Sequence, residues 1–574
     1  MRLILLSVLF ASCIIAPVMG GAGAAPYLEA SRFVLGEAEA GGGTNRPFEE
    51  RSVLSVNRIS DLRGLRGARG QRVFVAGYSV KNDGGQGTFA WNEAFIGSDD
   101  GGVNLVPKRG TGTGGWERQF VGSVRPEWFG ARCDGHTDDT NSVQETVNYV
   151  GADGARSSSI ELGDCTLRLT KSITVTSGLR IIGEGVSPYE GTLGTPGRGS
   201  WLFFDHPGVG IRTVGGRQIS GLEFERLGTR RNQPEPGAGW KPCGCDFDFV
   251  MSDADVLFDD VMLLNPTKGI KIDKGHYGRL RIERLRGQPL EVGIEVEESY
   301  DTFIAHDVKF WPFWRDIPSV HSYTLQHLDA FWLLRADNPM MSDVFTIFAH
   351  AGIRFSQNTY GKVSKLHLAN ADFDRGLFGL WVDSSVTSGV TGQADNVTIQ
   401  GETDVPLTKG IICVGSDGRM SFGNLSIAVS DQNAIRIEGR NNNYQISNLE
   451  IQGYDLSGSG FPAVEALMGN SITIMGLPDI SGGRSGVRYG GEGEIRVRLA
   501  QGRVKMTTDA AGDILVKHGS GVVPTIVLAQ QVASEPSPWA IVSVTASNFV
   551  LRTYKANGTP LADAEVTYYW RAEK

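Results

Sequence analysis

Cysteine and histidine are scarce in this chain, six and nine among 574 residues, and none of them stands in a metal-ligand spacing. Cys243-Gly244-Cys245 is one residue too short for a zinc C-x-x-C, and no histidine cluster accompanies it. No metal and no cofactor are therefore expected. Gly183-Glu184-Gly185 lacks the third glycine and the acidic partner of a dinucleotide fingerprint, and reads as a turn. Positive charge is also short. With 55 Lys and Arg against 64 Asp and Glu, the net charge is −9, which argues against a nucleic-acid partner and supplies no basic membrane patch. Beyond the first residues no apolar run is long enough to span a bilayer. Glycine is abundant, at 76 residues, but without a Gly-X-Y period, which excludes collagen and points to a turn-rich β protein.

What is present begins with a short positive start and an apolar run through Phe10, followed by Ala22-Gly23-Ala24. This pattern predicts a cleaved signal over residues 1–24, and a secreted or periplasmic destination. Phe10-Ala11-Ser12-Cys13 departs from a lipobox at Phe10, so lipidation is the lesser expectation. Residues 25–52, rich in Gly, Ala and Glu, read as a flexible leader. From 53 to 122, Asp-Gly and Gly-Gly turns separate apolar alternations such as Val73-Phe74-Val75 and Phe89-Ala90-Trp91, predicting a small β module.

Between 123 and 492 an irregular repeat takes over. Gly269-Ile270-Lys271-Ile272, Gly293-Ile294, Gly352-Ile353, Gly379-Leu380, Gly410-Ile411 and Ala434-Ile435 each open a unit, and Asn396-Val397, Asn424-Leu425 and Asn448-Leu449 begin later strands. Units of about twenty to thirty residues that cannot bury an apolar face alone fit stacked coils, with repeated Asn forming side-chain ladders. Val143, Val147 and Val150 at helical spacing, with Asn141 and Gln144 as a capping box, predict a helix covering the open end of the stack. From 493 to 574 the strands alternate and Asn557-Gly558 offers a tight turn, so an antiparallel β domain is expected.

The segment Pro126 to Thr140, PEWFGARCDGHTDDT, resembles the opening cap of pectate-lyase-superfamily, phage-tailspike-like right-handed parallel β-helix proteins, with Cys133 where that family usually has Gly. The resemblance implies an all-β chain with a right-handed parallel β-helix, a small N-terminal β module and a C-terminal antiparallel domain. It further implies a homotrimer, joined through that C-terminal domain, that handles long polysaccharides. Tyr568 and Trp570 are the residues expected to meet across its axis. Export permits disulfides. Cys133 with Cys165 would tie the cap loop to an early coil, and Cys413, in an apolar strand, is expected to stay buried and unpaired.

In Asn370-Ala371-Asp372-Phe373-Asp374, strand alternation turns Ala371 and Phe373 inward and Asp372 and Asp374 outward. Two carboxylates ~7 Å apart on one strand suit glycoside hydrolysis, one as acid and the other as base or nucleophile. The next unit adds Glu402 and Asp404 to the same face. Like charges this close raise one pKa. Phe310-Trp311-Pro312-Phe313-Trp314-Arg315, followed by Arg335-Ala336-Asp337-Asn338-Pro339, is similar to segments of tailspike-like exopolysaccharide depolymerases. Trp311 and Trp314 are candidates for stacking on sugar rings. Asp337 is expected to face Asp372 and Asp374 across a groove, with Arg335, His350 and Arg375 contacting the substrate. The leading expectation is thus a secreted glycosidase cleaving a bacterial exopolysaccharide or capsule. A lyase acting on a uronic-acid polymer, and a trimeric glycan-binding protein without turnover, are the alternatives.

Overall fold

The computed structural model describes residues 54–573 apart from 109–112, 189–196, 276–278, 404, 477, 519–522 and 534–535. The expected signal and leader lie outside the described residues. The first described element is a five-stranded sheet in which Leu54–Val56, Arg72–Val75, Gly87–Asn92, Gly115–Arg118 and Asn104–Leu105 lie side by side. Its strands alternate as the sequence does, so Val73, Val75, Phe89, Trp91 and Trp116 are buried together with Ile59 and Leu62.

Arg118 connects this module to the cap of the stack. It is buried, donates to the carbonyls of Gly85, Gln86 and Gly102, and lies between the rings of Phe89 and Trp128 at 4.6 and 4.7 Å. Burial pushes its pKa down to about 9, which still leaves it charged at neutral pH. Trp128 belongs to the turn Pro126–Phe129, which closes on Gly130 at φ 100°. Cys133, at the position where the resemblance expects Gly, has φ 58°. A left-handed backbone explains why glycine suits that position, and here a disulfide to Cys165 accompanies it. Cys243 pairs with Cys245, and Cys413 is buried and free.

The helix Thr140–Gly151 buries Val143, Val147 and Val150 as anticipated. The capping box does not form. The helix begins two residues earlier than the box requires, after Asp139, whose carboxylate accepts the N–H groups of Arg132 and Cys133. Gln144 instead reaches outward, accepting from the N–H of Thr174 at 2.8 Å and donating to its carbonyl at 2.9 Å.

Past the cap the chain is an all-β, right-handed parallel β-helix. Most coils give one strand to a twelve-stranded sheet and one longer, bent path to a twenty-two-stranded sheet. Stacking follows the unit openers: Ile270, Ile294, Phe331, Ile353, Leu380, Ile411 and Ile435 pair in unbroken succession. Every one of them is buried. On the larger sheet Val344, Ala371, Val397, Leu425 and Leu449 form the matching inward row. The bend of the long strands falls at Asp343, Asn370 and Asn396, all with φ between 52° and 55°. Side-chain amides run up this corner from Asp343 through Asn370, Asn396 and Asn424 to Asn448, with contacts of 2.7–3.2 Å. The anticipated Asn ladder thus exists. It marks a bend within strands rather than a connecting loop.

Deep in the stack, Arg231 and Asp248 are fully buried and paired at 2.7 Å. Arg231 also donates to the carbonyls of His206, Gly208, Asp246 and Phe247, and Thr229 donates to Asp248.

Glu494–Thr507 changes the architecture within a single strand. It is a parallel rung against Ser471–Met475 and then the antiparallel neighbour of Glu565–Glu573, which in turn pairs with Ile526–Gln531. A separate sheet of Asp513–Lys517, Asn548–Thr553 and Trp539–Val544 packs against this one. Tyr568 lies inside this terminal core, bonded to Thr553 at 2.9 Å, and Trp570 packs edge-on against Phe549. Both therefore serve the core of one chain. Tyr569 is the exposed aromatic of that strand.

Candidate functional site

The candidate site lies where the long strands of the larger sheet end and the chain turns toward the smaller one. Leu366–Asp374 alternates as its sequence demands: Ala371 and Phe373 are buried, Asp372 is exposed and Asp374 half-buried. Phe345 and Ile347 pair with Asp372 and Asp374 on one side, and Thr398 pairs with Asp372 on the other. The two carboxylates are therefore ~7 Å apart along the strand, on a face whose neighbouring rungs lie ~4.8 Å away. Trp311 follows Phe310, which pairs with Thr346, so it stands beside Ile347 and about 10 Å from Asp374. It is half-buried and edge-on to Phe313 at 5.3 Å.

Arg375 caps the row. It binds Glu402 of the next coil and lies over the Phe348 ring at 4.8 Å. Opposite it, the helix Pro318–His327 folds back from an insertion and stacks His321 on the same ring, with centroids 3.8 Å apart. Asp316 lies 3.0 Å from His321 Nε2. Asp372, Asp374, Arg375, Glu402 and Trp311 are thus brought together, joined by His321 and Asp316. Asp404 lies outside the described residues.

The electrostatics reflect that crowding. Although Asp372 is exposed as a residue, partial desolvation of its carboxylate, and then the charge of Asp374, raise its pKa, and that carboxylate has no hydrogen-bond or ion-pair partner among the described residues. Burial also raises Asp374, with Glu402 adding to the effect and Arg375 opposing it. His321 is lowered by burial against the pull of Asp316. A carboxylate whose folded pKa is raised weakens the fold once ionised. That penalty is absent below about pH 3.9, the ordinary Asp value, and is complete above the raised one. Asp372→Asn is accordingly expected to raise the thermal midpoint at neutral pH and to leave it unchanged in strong acid, as calorimetry at both pH values would read.

The remaining expected residues are elsewhere. Asp337 is held by Arg335 and by Ser364 at 2.6 Å, and the strand pair that carries it precedes the long strands. Ser364, the rung partner of Asp337, lies ten residues before Asp374, so Asp337 stands beside the start of the path that Asp374 ends and the two do not face each other. Burial acts to raise the Asp337 pKa, but the hydrogen bonds from Arg335 and Ser364 outweigh it and hold the carboxyl below its usual range. Arg335 is committed to Asp337 and to the ring of Tyr300 at 4.8 Å. His350 stands two residues after Phe348 but turns round the corner to Asp329 at 3.0 Å, with its edge on Phe378 and Trp381. Trp314 is buried among Trp201, Trp240, Met262, Leu290 and Val320, a hydrophobic plug beneath the inserted loop rather than a sugar platform.

The module at the N-terminus is where a known family is met. Residues 55–121 match the phage tail protein small four-stranded beta-sheet domain. No curated protein matches the chain. Among solved structures, tailspike protein 2 of Escherichia coli O157:H7 bacteriophage CAB120 is 14% identical, with 92% of this chain and 78% of that chain covered and a TM-score of 0.47. The tailspike protein of Acinetobacter phage vB_ApiP_P1 is 12% identical over 90% of this chain and 98% of its own, with a TM-score of 0.46. A tailspike protein of Acinetobacter baumannii bacteriophage Fri1, a capsular polysaccharide depolymerase, is 10% identical over 91% and 98%, with a TM-score of 0.35. The fold of the present protein, with its phage-tail-like module and β-helix, rests on its own strand register. Among the described residues no group of three or more His, Cys, Asp or Glu could hold a metal ion, and no helix is long and apolar enough to cross a membrane.

Proposed function

We propose that this protein is a polysaccharide depolymerase that hydrolyses a bacterial exopolysaccharide or capsule at the corner formed by Asp372, Asp374 and Glu402. The observation that carries the reading is the pair Asp372 and Asp374, outward on one strand, both with raised pKa, beside a half-exposed Trp311. A raised carboxyl can stay protonated and donate to a glycosidic oxygen, while an ionised neighbour activates water or attacks the sugar. We assign the acid to Asp372, which lacks a counter-ion, and the base or nucleophile to Asp374, which Arg375 helps to ionise. Arg375 and His321 position the groove, and Trp311 offers an apolar face to a sugar ring.

Incubation with purified capsular and extracellular polysaccharides, followed by mass analysis, tests this. Saturated oligosaccharides support hydrolysis. Products absorbing in the near ultraviolet would instead assign elimination from a uronic-acid polymer, with Arg375 neutralising the carboxylate. Export through cleavage within residues 1–24 belongs to the same reading.

We also infer a homotrimer. Ile526, Leu528 and Tyr569 are each about half exposed on the terminal sheet, an apolar surface of the kind that association covers. Light scattering should give three times the chain mass, and Leu528→Glu with Tyr569→Glu should shift it to one.

A further inference from the structure

A groove stands apart from the carboxylate corner. It lies before the bend of the long strands, with a volume of about 700 Å³. Its shape comes from two outward rows. Met340, His367, Gln393 and Ser421 pair rung upon rung, and form one wall. Beside them run Ser342, Ala369 and Asp395, continued by Gly423 and Ser447. Because Ala369 and Gly423 carry almost no side chain, the second row is a trough roughly 19 Å long over five rungs. A Cβ at Gly423 would lie 2.2 Å from Asp395 Oδ1, so a larger residue there would have to displace that carboxylate.

The lining is mostly uncharged. No lysine or arginine borders the trough. Its one carboxylate is occupied, since Asp395 Oδ1 accepts the backbone and side-chain N–H groups of Asn424 at 2.9 and 2.8 Å. The Gln393 amide lies 3.0 Å from His367 Nδ1. An amide nitrogen can only donate, so Nδ1 accepts and the proton of the neutral ring sits on Nε2, where it is available to a ligand carbonyl or hydroxyl. Met340, 44% exposed, and Ile304 supply methyl contacts next to these donors. A few hydrogen-bonding groups converging on an apolar floor is the pattern of a ligand site.

We propose that this trough is a second, non-catalytic binding site for a neutral, acetylated sugar segment, with the acetyl methyl on Met340 and the acetyl carbonyl on His367 Nε2–H. An anionic sugar is disfavoured because nothing in the trough neutralises it. The site is independent of Asp372 and Asp374, which lie beyond the Asn370 bend on the other leg of the strand.

Titration calorimetry on the full chain, with the N-acetylglucosamine tetramer and the galacturonate tetramer as probes, tests the proposal. Wild type and Asp374→Asn should bind the acetylated tetramer equally, and neither should bind the galacturonate. Ala369→Trp, an outward substitution that fills the trough, should weaken binding by at least about tenfold. The pair His367→Ala with Gln393→Ala, which removes the donors without adding bulk, should do the same if Ala369→Trp disturbs folding. Binding that is absent in wild type, equal for both probes or unaffected by these variants overturns the site. Loss of binding in Asp374→Asn alone would move it to the carboxylate corner. Loss of turnover in Asp374→Asn with binding intact leaves both readings standing separately.

Discussion

Asp374→Asn should release oligosaccharide roughly 10²- to 10⁴-fold more slowly than wild type, the loss expected when a positioned acid–base group is removed. The side chain keeps its shape and loses only its charge and its proton chemistry. Ile347 and Phe373, which pack beside and before it in the strand, are untouched. Circular dichroism and the thermal midpoint should therefore match wild type or exceed it, since a carboxylate with a raised pKa no longer opposes folding. The partner variant Asp372→Asn should remove the basic limb of the pH–rate profile, because it deletes the group that must be protonated, whereas Asp374→Asn should remove the acidic limb. Initial rates across pH with one purified polymer decide the matter. Unchanged turnover in both variants would remove the assignment of this corner as the catalytic site.

Arg231→Met should lower the unfolding free energy by about 3–5 kcal/mol, the usual cost of breaking one side of a buried ion pair. The reason is local and complete. Asp248 would keep its position at zero exposure with only Thr229 to satisfy it, and four backbone carbonyls would lose their donor at once. Methionine has nearly the right length and adds no clash, so packing contributes little to the change. Replacing both partners, Arg231→Met with Asp248→Leu, should recover part of the loss. Denaturant midpoints measured after long equilibration on all three variants check the sign and the order.

Much of this architecture was legible because a stacked coil repeats its inward positions. Ile270, Ile294, Ile353, Leu380, Ile411 and Ile435 could be aligned by eye, and they stack in that order, with Phe331 as an additional rung between Ile294 and Ile353. Asp372 and Asp374 were legible for the related reason that alternation alone fixes their face. Asp337 was misplaced because alternation gives the face and not the end of a nine-residue strand. Asp337 precedes the long strands at one end and Asp374 closes its strand at the other. Trp314 was misread because an FWPFW sequence does not say which ring turns under the loop. His321 and Asp316 gave no signal, since periodicity is silent about where an inserted helix returns. Its packing on Phe348 joins it to the site.

The Asn corner also has a consequence for how this protein can change. Asn370, Asn396, Asn424 and Asn448 are each linked through their side-chain amides to a residue 24 to 28 positions away. A damaging substitution in this column would find its suppressor one coil above or below, not nearby in the sequence. Genetic repair should therefore appear at the length of a coil, and removing one whole coil should be gentler than removing half of one.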